Sequence, residues 1–333
     1  MRVYGPIEEK YREFASYADD SPCFREWALG VAGDPEVQAW LGTLPDPKQQ
    51  PNLVFAAARW HGLEAPAPYD ALRAALLADD GPIRDTILSR ATQTNEAGRM
   101  ATLVPAIAVA ARGRPVALLE TGASAGLCLF PDRWGFRWST PEGLVTAGRA
   151  SPTLVCAVTG PAPLPPTLPA IAWRGGIDLN PLDVTSRDDT DWLLNLVWPE
   201  HDDRRAQLAT AIEVARADPP DLRRGDLLEL LPGLVDEAAA AVGPDGVVVV
   251  QHSAVIAYLD PAARQRFTRM MAELVAEGRC RWVSNEAPDV LPGVAATGPE
   301  PPFGQFVLGL DGRAVGHTHS HGRKLHWEAS PRD

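Results

Sequence analysis

Through the first hundred or so residues the apolar positions recur every three or four places, the period of an amphipathic helix. The pattern is clearest in Phe24-Arg-Glu-Trp27-Ala-Leu29, Leu53-Val-Phe55-Ala-Ala-Ala-Arg-Trp60 and Tyr69-Asp-Ala-Leu72-Arg-Ala-Ala-Leu76-Leu77. Proline-rich breakers separate these runs at Leu44-Pro-Asp-Pro47, Pro51 and Ala65-Pro-Ala-Pro68. Asp80-Gly81-Pro82 then opens a further helical stretch, with Pro82 where a missing N–H costs nothing. Residues 1–112 therefore read as a helical N-terminal domain or cap.

From Pro115 the period changes. Val116-Ala-Leu-Leu119, Val247-Val-Val-Val250 and the run around Trp282-Val283 are short and uniformly apolar, as strands buried on both faces are. A helix from Pro261 to about Glu277, with Asp260 as N-cap and Gly278 as its stop, separates the last two. Strands alternating with helices predict an α/β fold over 113–333, its sheet largely parallel with helices on both faces. Five prolines between Pro161 and Pro169 predict a rigid exposed loop. No internal repeat of fixed period is found.

Composition narrows the function classes. Of 333 residues, 31 are Lys or Arg and 43 Asp or Glu, giving a formal charge of −12. That balance is ill suited to neutralising phosphates, so no nucleic-acid partner is expected. The longest apolar run, Met100–Ala111, contains Pro105 and is far short of the ~20 residues a membrane span needs. The N-terminus lacks an apolar signal core, and the four scattered cysteines (Cys23, Cys128, Cys156, Cys280) read as reduced thiols. A cytoplasmic protein with a small-molecule substrate is expected.

The most informative motif is Glu120-Thr-Gly122-Ala123-Ser124-Ala-Gly126, at a strand-to-helix turn. It admits two functional readings. Gly122, Ser124 and Gly126 match a G-x-S-x-G nucleophile elbow, with Ser124 attacking an acyl group. Alternatively, the stretch is the glycine-rich first loop of a nucleotide-binding fold, whose small residues let a ligand approach the backbone. A tight turn with small residues only for packing is the plainer alternative. An acid two positions before the first glycine favours the cofactor loop, because an elbow has no use for a carboxylate near its oxyanion site.

Polar residues at other strand ends would converge in the crevice beyond the carboxyl ends of a parallel sheet. Asp178, closing Ile171–Asp178, suits ribose hydroxyls, and Asp226 suits an adenine amino group. His252 and Glu286 end two further strands and are the candidate proton acceptors. Plainer roles compete: Asp226 with Glu229 resembles a capping box, and His252 a hydrogen-bonded core histidine. Gln93, Asn95, Glu96 and Arg99 lie between two apolar helical stretches, with Asn95 and Arg99 on one face if the helix is continuous. Buried polar groups must be paired or used, so this segment is expected to line the cleft.

Together, Gln93-Thr-Asn95-Glu96-x-x-Arg99, Glu120-Thr-Gly-Ala-Ser-Ala-Gly-Leu127, Arg174-Gly-Gly-Ile-Asp178, Trp198-Pro-Glu200 and the late His321-Gly322 and Trp327 resemble a bacterial family of unknown function. That family looks like a class I S-adenosylmethionine-dependent methyltransferase with an added helical N-terminal region. The resemblance implies a Rossmann-like methyltransferase-type sheet, S-adenosylmethionine as cofactor, and cofactor contacts by Glu120, Gly122, Ala123, Ser124, Gly126, Asp178 and Asp226. The 52 residues from Gly126 to Asp178 imply an insertion near 130–169. Finally, His317-Thr-His319-Ser-His321 would set three imidazoles on one face of a strand. No carboxylate lies close to them in sequence, so no metal is expected. A serine hydrolase and a non-catalytic cofactor-binding protein remain the alternatives to a methyltransferase.

Overall fold

The computed structural model describes residues 5–93 and 95–328. The chain forms two compact units, Met1–Thr94 with Ser186–Ala209, and Asn95–Thr185 with Thr210–Asp333.

The first unit is helical: α1 (Ile7–Tyr17), α2 (Pro22–Gly33), α3 (Pro35–Leu41), α4 (Pro51–Trp60), α5 (Tyr69–Leu77), α6 (Pro82–Ser89) and α8 (Arg187–Leu196). Proline occupies the first position of α2, α3, α4 and α6, where its fixed φ suits a helix start. The core is aromatic, with Phe55 packed edge-on against Phe24, Trp27, Phe14 and Tyr11. Trp198 joins the same cluster beside Phe14 and Phe24. Two residues later, Glu200 accepts the Ser21 hydroxyl at 2.6 Å and the Cys23 amide at 2.8 Å, at the start of α2. The Trp198-Pro-Glu200 motif is thus a clasp that ties a late segment into the helical unit. Segment 186–209 accordingly belongs with the helices, whereas Met100–Ala111, which the hydrophobic period assigns to the cap, belongs to the second unit as α7.

Among the described residues the second unit is built on one sheet of eleven strands. They are β1 (Val116–Thr121), β2 (Gly135–Thr140), β3 (Gly143–Gly148), β4 (Thr153–Thr159), β5 (Ile171–Asp178), β6 (Asp221–Arg224), β7 (Val247–Ser253), β8 (Arg281–Glu286), β9 (Gln305–Leu310), β10 (Arg313–His319) and β11 (Lys324–Trp327). Their order is β3-β2-β4-β11-β10-β9-β8-β7-β1-β5-β6. Helices α9 (Asp202–Arg216), α10 (Leu227–Val242), α11 (Pro261–Ala276) and α12 (Pro292–Ala295) complete the chain.

Half of this sheet follows the expectation. β6, β5, β1, β7 and β8 are mutually parallel. The other half does not: β9 runs antiparallel to β8, β10 to β9 and β11 to β10. The chain between β1 and β5 supplies β2, β3 and β4, which lie beyond β11 at the far edge. Those strands alternate buried and exposed positions and lack the continuous apolar run that marks a central parallel strand.

Alternation along the strands sorts side chains between two layers. Ala117, Leu119, Val248, Val250 and Trp282 pack with Leu231, Val235, Phe267 and Met271 of α10 and α11. The intervening residues face the layer of α7, where Arg281 reaches the Ala110 carbonyl. Among the parallel strands the order reverses at β1, since the chain runs outward through β5 and β6 and then returns to β7 on the other side. A crevice beyond the carboxyl ends of β1 and β7 is the place where such sheets hold ligands.

Among the described residues no helix is long and apolar enough to cross a membrane. The four cysteines are unpaired and buried.

Candidate functional site

The end of β1 builds the site. Its last turn bends sharply, with Gly122 at φ +67°, Ser124 at +53° and Gly126 at +70°, in the left-handed region that glycine tolerates best. Gly122 is required by space as well, because a Cβ there would overlap the Val255 side chain. A Cβ on Gly126 would press on Pro220, Leu129 and Leu222. Both glycines therefore serve close packing inside the turn.

The turn spends four of the five amides from Gly122 to Gly126 on the protein itself. Gly122 and Ala123 donate to the Ile177 carbonyl (2.7 and 3.1 Å), and Gly126 donates to Ala123 (2.7 Å). Ser124 N–H donates to Asp178 Oδ2 at 2.8 Å, and Leu127 N–H to Asn95 Oδ1 at 2.7 Å. An anion cradle of backbone N–H groups, as a dinucleotide loop offers, is not what these bonds leave. Asp178 does stand at the end of β5, beside β1, and also accepts the Asn180 amide at 2.8 Å. Asp226 lies just beyond β6 and caps α10, accepting Leu228 N–H at 2.8 Å.

The segment before α7 meets the same turn by a different geometry from the one its spacing suggests. Residues 91–93, 95 and 96 are not helical, and Ala97–Arg99 form a single 3₁₀ turn, so Asn95 and Arg99 do not share a helix face. Glu96 is instead the N-cap, accepting the Gly98 amide. Its carbonyl accepts the Cys128 thiol at 3.4 Å. The Arg99 guanidinium donates to two main-chain carbonyls, Ser253 at 2.9 Å and Ser320 at 2.8 Å. Asn95, Glu96 and Arg99 thus fasten the β1 turn, the end of β7 and the turn after β10 together. Gln93 belongs to the first compact unit, and Thr94 lies outside the described residues.

Glu120 is the chemically conspicuous group. It is 5 % exposed, and its Oε2 has no hydrogen-bond partner among the described residues. Burial pushes its carboxyl up to about 8; the Arg99 charge opposes that shift and Asp178 adds to it. Gln251, which sequence reasoning left out of the site, is the register partner of Glu120 on β7 and leaves the sheet on the same face. Its Nε2 donates to the Cys128 carbonyl at 3.0 Å, while its Oε1 is buried without a donor among the described residues. Two neighbouring buried acceptors so face the α7 layer. Burial, with Glu120 adding, also drives the Cys128 thiol well above its ordinary range.

His252 and Glu286 lie on the opposite face. His252 has no solvent exposure, and both ring nitrogens are engaged. Nδ1 meets Glu286 Oε1 at 2.7 Å, and Nε2 receives the Trp282 indole N–H at 2.9 Å. Because the indole can only donate, Nε2 must accept and the proton must sit on Nδ1. The imidazole therefore has no lone pair to offer, and His252 is removed from the candidate bases. Glu286 Oε1 also accepts the amides of Val255 (3.0 Å) and Ile256 (3.2 Å), fixing the loop whose Val255 fills the groove over Gly122. Glu286 Oε2 remains buried with no partner among the described residues.

The histidine run also departs from expectation. His317 on β10 pairs with His326 on β11, the rings stacking at 4.7 Å and 23°, and not with its sequence neighbours. His319 and His321 pack edge-on against one another. A carboxylate does accompany the first pair: Glu328 Oε1 lies 3.4 Å from His326 Nε2. Histidine and glutamate at alternate positions, His326-x-Glu328, were the available signal.

Comparison with curated proteins finds no match. The family described as "Uncharacterized protein conserved in bacteria (DUF2332)" matches residues 8–327, a span that covers most of both units, and the chain belongs to that family.

Proposed function

We propose that the crevice at the carboxyl ends of β1, β5 and β7 binds S-adenosylmethionine, and that the protein transfers its methyl group to a small acceptor. The observation that carries this reading is Glu120, a buried carboxyl with an oxygen that has no partner among the described residues, where the order of the parallel strands reverses. The parallel strands, numbered within their own set, run 3-2-1-4-5, the order of a Rossmann-like core. Asp178 closes the second of them, where an acid meets ribose hydroxyls, and Asp226 follows the third as the N-cap of α10.

The choice of ligand follows from which groups the site has left. Phosphate-bearing cofactors want several amide donors or cations, and four of the five amides from Gly122 to Gly126 are spent. Glu120, Asp178 and Gln251 offer acceptors, which suit hydroxyls, an ammonium and a positive sulfonium. S-adenosylmethionine, when bound, supplies a methyl carbon on that sulfonium. The residues contribute orientation and exclusion of water, which are the main demands of an in-line displacement.

A serine hydrolase reading draws on the left-handed φ of Ser124, which an elbow serine shares. It needs a histidine with a free nitrogen, and His252 has given both of its own to Glu286 and Trp282.

The test is calorimetric titration of the purified chain with S-adenosylhomocysteine. Binding is expected, together with at least tenfold weakening in Asp178→Ala. Gly122→Val is a poor probe, because its side chain collides with Val255 before it reaches any ligand. No binding of S-adenosylhomocysteine, with a fluorophosphonate labelling Ser124, gives the site to the hydrolase.

A further inference from the structure

We infer that His317, His326 and Glu328 form a binding site for a divalent transition-metal ion of the zinc class, with three protein ligands and a position open to water. One nitrogen of each imidazole and one oxygen of Glu328 lie within 4.8 Å of one another. A tetrahedral ion with bonds of roughly 2.0–2.2 Å sets its donors about 3.3 Å apart, so side-chain rotation alone closes the cluster.

Which nitrogens are available is settled by their neighbours. His317 Nδ1 meets Gln305 Oε1, a carbonyl oxygen that can only accept, so Nδ1 carries the proton and Nε2 keeps its lone pair. His326 Nδ1 meets the Thr159 hydroxyl at 2.9 Å, which can accept in the same way, and its Nε2 faces Glu328. Each imidazole therefore has an oxygen partner on Nδ1, which leaves its Nε2 for an ion. This is the arrangement that fixes the tautomer of metal-bound histidines and raises their basicity. Four strands hold the parts: Thr159 ends β4, Gln305 begins β9, His317 lies on β10 and His326 on β11. Glu328 is anchored by its own amide, which donates to the Val315 carbonyl at 2.9 Å. The side chains of His326 and Glu328 are 36 % and 30 % exposed, so an ion can enter from solvent. Two imidazoles and one carboxylate are a borderline donor set, suited to zinc, nickel or cobalt rather than magnesium or calcium. The four cysteines are buried and raise no competing thiolate in the folded chain.

The experiment is equilibrium dialysis of the untagged, chelator-stripped full chain against Zn²⁺, with Co²⁺ absorption as a second readout. One equivalent of Zn²⁺ is expected, with visible Co²⁺ bands of a low-coordinate site. His317→Ala and His326→Ala should each lose binding by at least tenfold. Thr159→Val, which touches no ion, should weaken binding about tenfold through the imidazole it orients. Circular dichroism and melting curves confirm that each variant is folded. Absence of Zn²⁺ from the wild type, or binding unchanged in a folded His317→Ala, His326→Ala double variant, overturns the inference.

Discussion

At the scale of single residues, the site is governed by which lone pairs are already taken. His252 sits at the end of a central strand, where a base would be useful, yet the Trp282 indole and Glu286 hold it as a neutral buried ring. Its role is to fix Glu286, which in turn fixes Val255 over Gly122. Trp282→Phe removes one donor and leaves Nε2 unsatisfied in a dry environment. Such an orphaned acceptor costs about 1–3 kcal/mol. Urea unfolding should register that loss, while S-adenosylhomocysteine affinity changes less than threefold. A large loss of affinity at unchanged stability would instead return His252 to the ligand.

At the scale of elements, the turn after β10 and the 3₁₀ turn before α7 are pressed backbone to backbone. A Cβ on Gly322 would overlap the Gly98 carbonyl and the Arg99 amide, and Gly322 also has φ +77°. Gly113 has the same φ with open space around it, so Gly113→Ala reports the conformational cost alone. Gly322→Ala should be less stable than Gly113→Ala by about 1–3 kcal/mol, the cost of overpacking a rigid contact. Equal stabilities in denaturant titration would mean that the two turns are not held together. The sequence separates these elements by more than two hundred residues, and only their motifs, Asn95-Glu96-x-x-Arg99 and His321-Gly322, hinted at a common purpose. Local signals were legible: the periods and prolines of α2, α4, α5 and α6, the runs of β1, β7 and β8, and the cap of α11 at Asp260. The helix expected through Asn95 and Arg99 failed for a tertiary reason, because Asn95 is drawn to Leu127 and Glu96 turns to cap Gly98.

At the scale of the whole molecule, the parallel strands were readable because strands buried on both faces announce themselves as apolar runs. The other half was not, since β2, β4 and β9 to β11 are mixed in polarity and β4 meets β11 across a long gap in sequence. The same gaps hid the meeting of Thr159, Gln305, His317 and His326, and hid Glu200 at the head of α2. Glu120 was named from its motif and Asp178 from its strand end, but the sequence gives no hint that the turn between them spends most of its amides. That finding is what makes the site one for hydroxyls and positive charge, with Glu120 at its centre. The carboxyl, raised to about 8, is mostly protonated at neutral pH. A sulfonium beside it favours the ionised form, so binding releases a proton below pH 8 and none above it. The most direct test is therefore the ratio of affinities for S-adenosylmethionine and S-adenosylhomocysteine, which differ by that one charge, titrated between about pH 6 and pH 9. In the wild type the preference for S-adenosylmethionine should rise by up to tenfold per pH unit toward pH 8 and then level off, with Glu120→Gln showing no such rise. A wild-type ratio independent of pH, or a chain that binds neither ligand, would contradict the account.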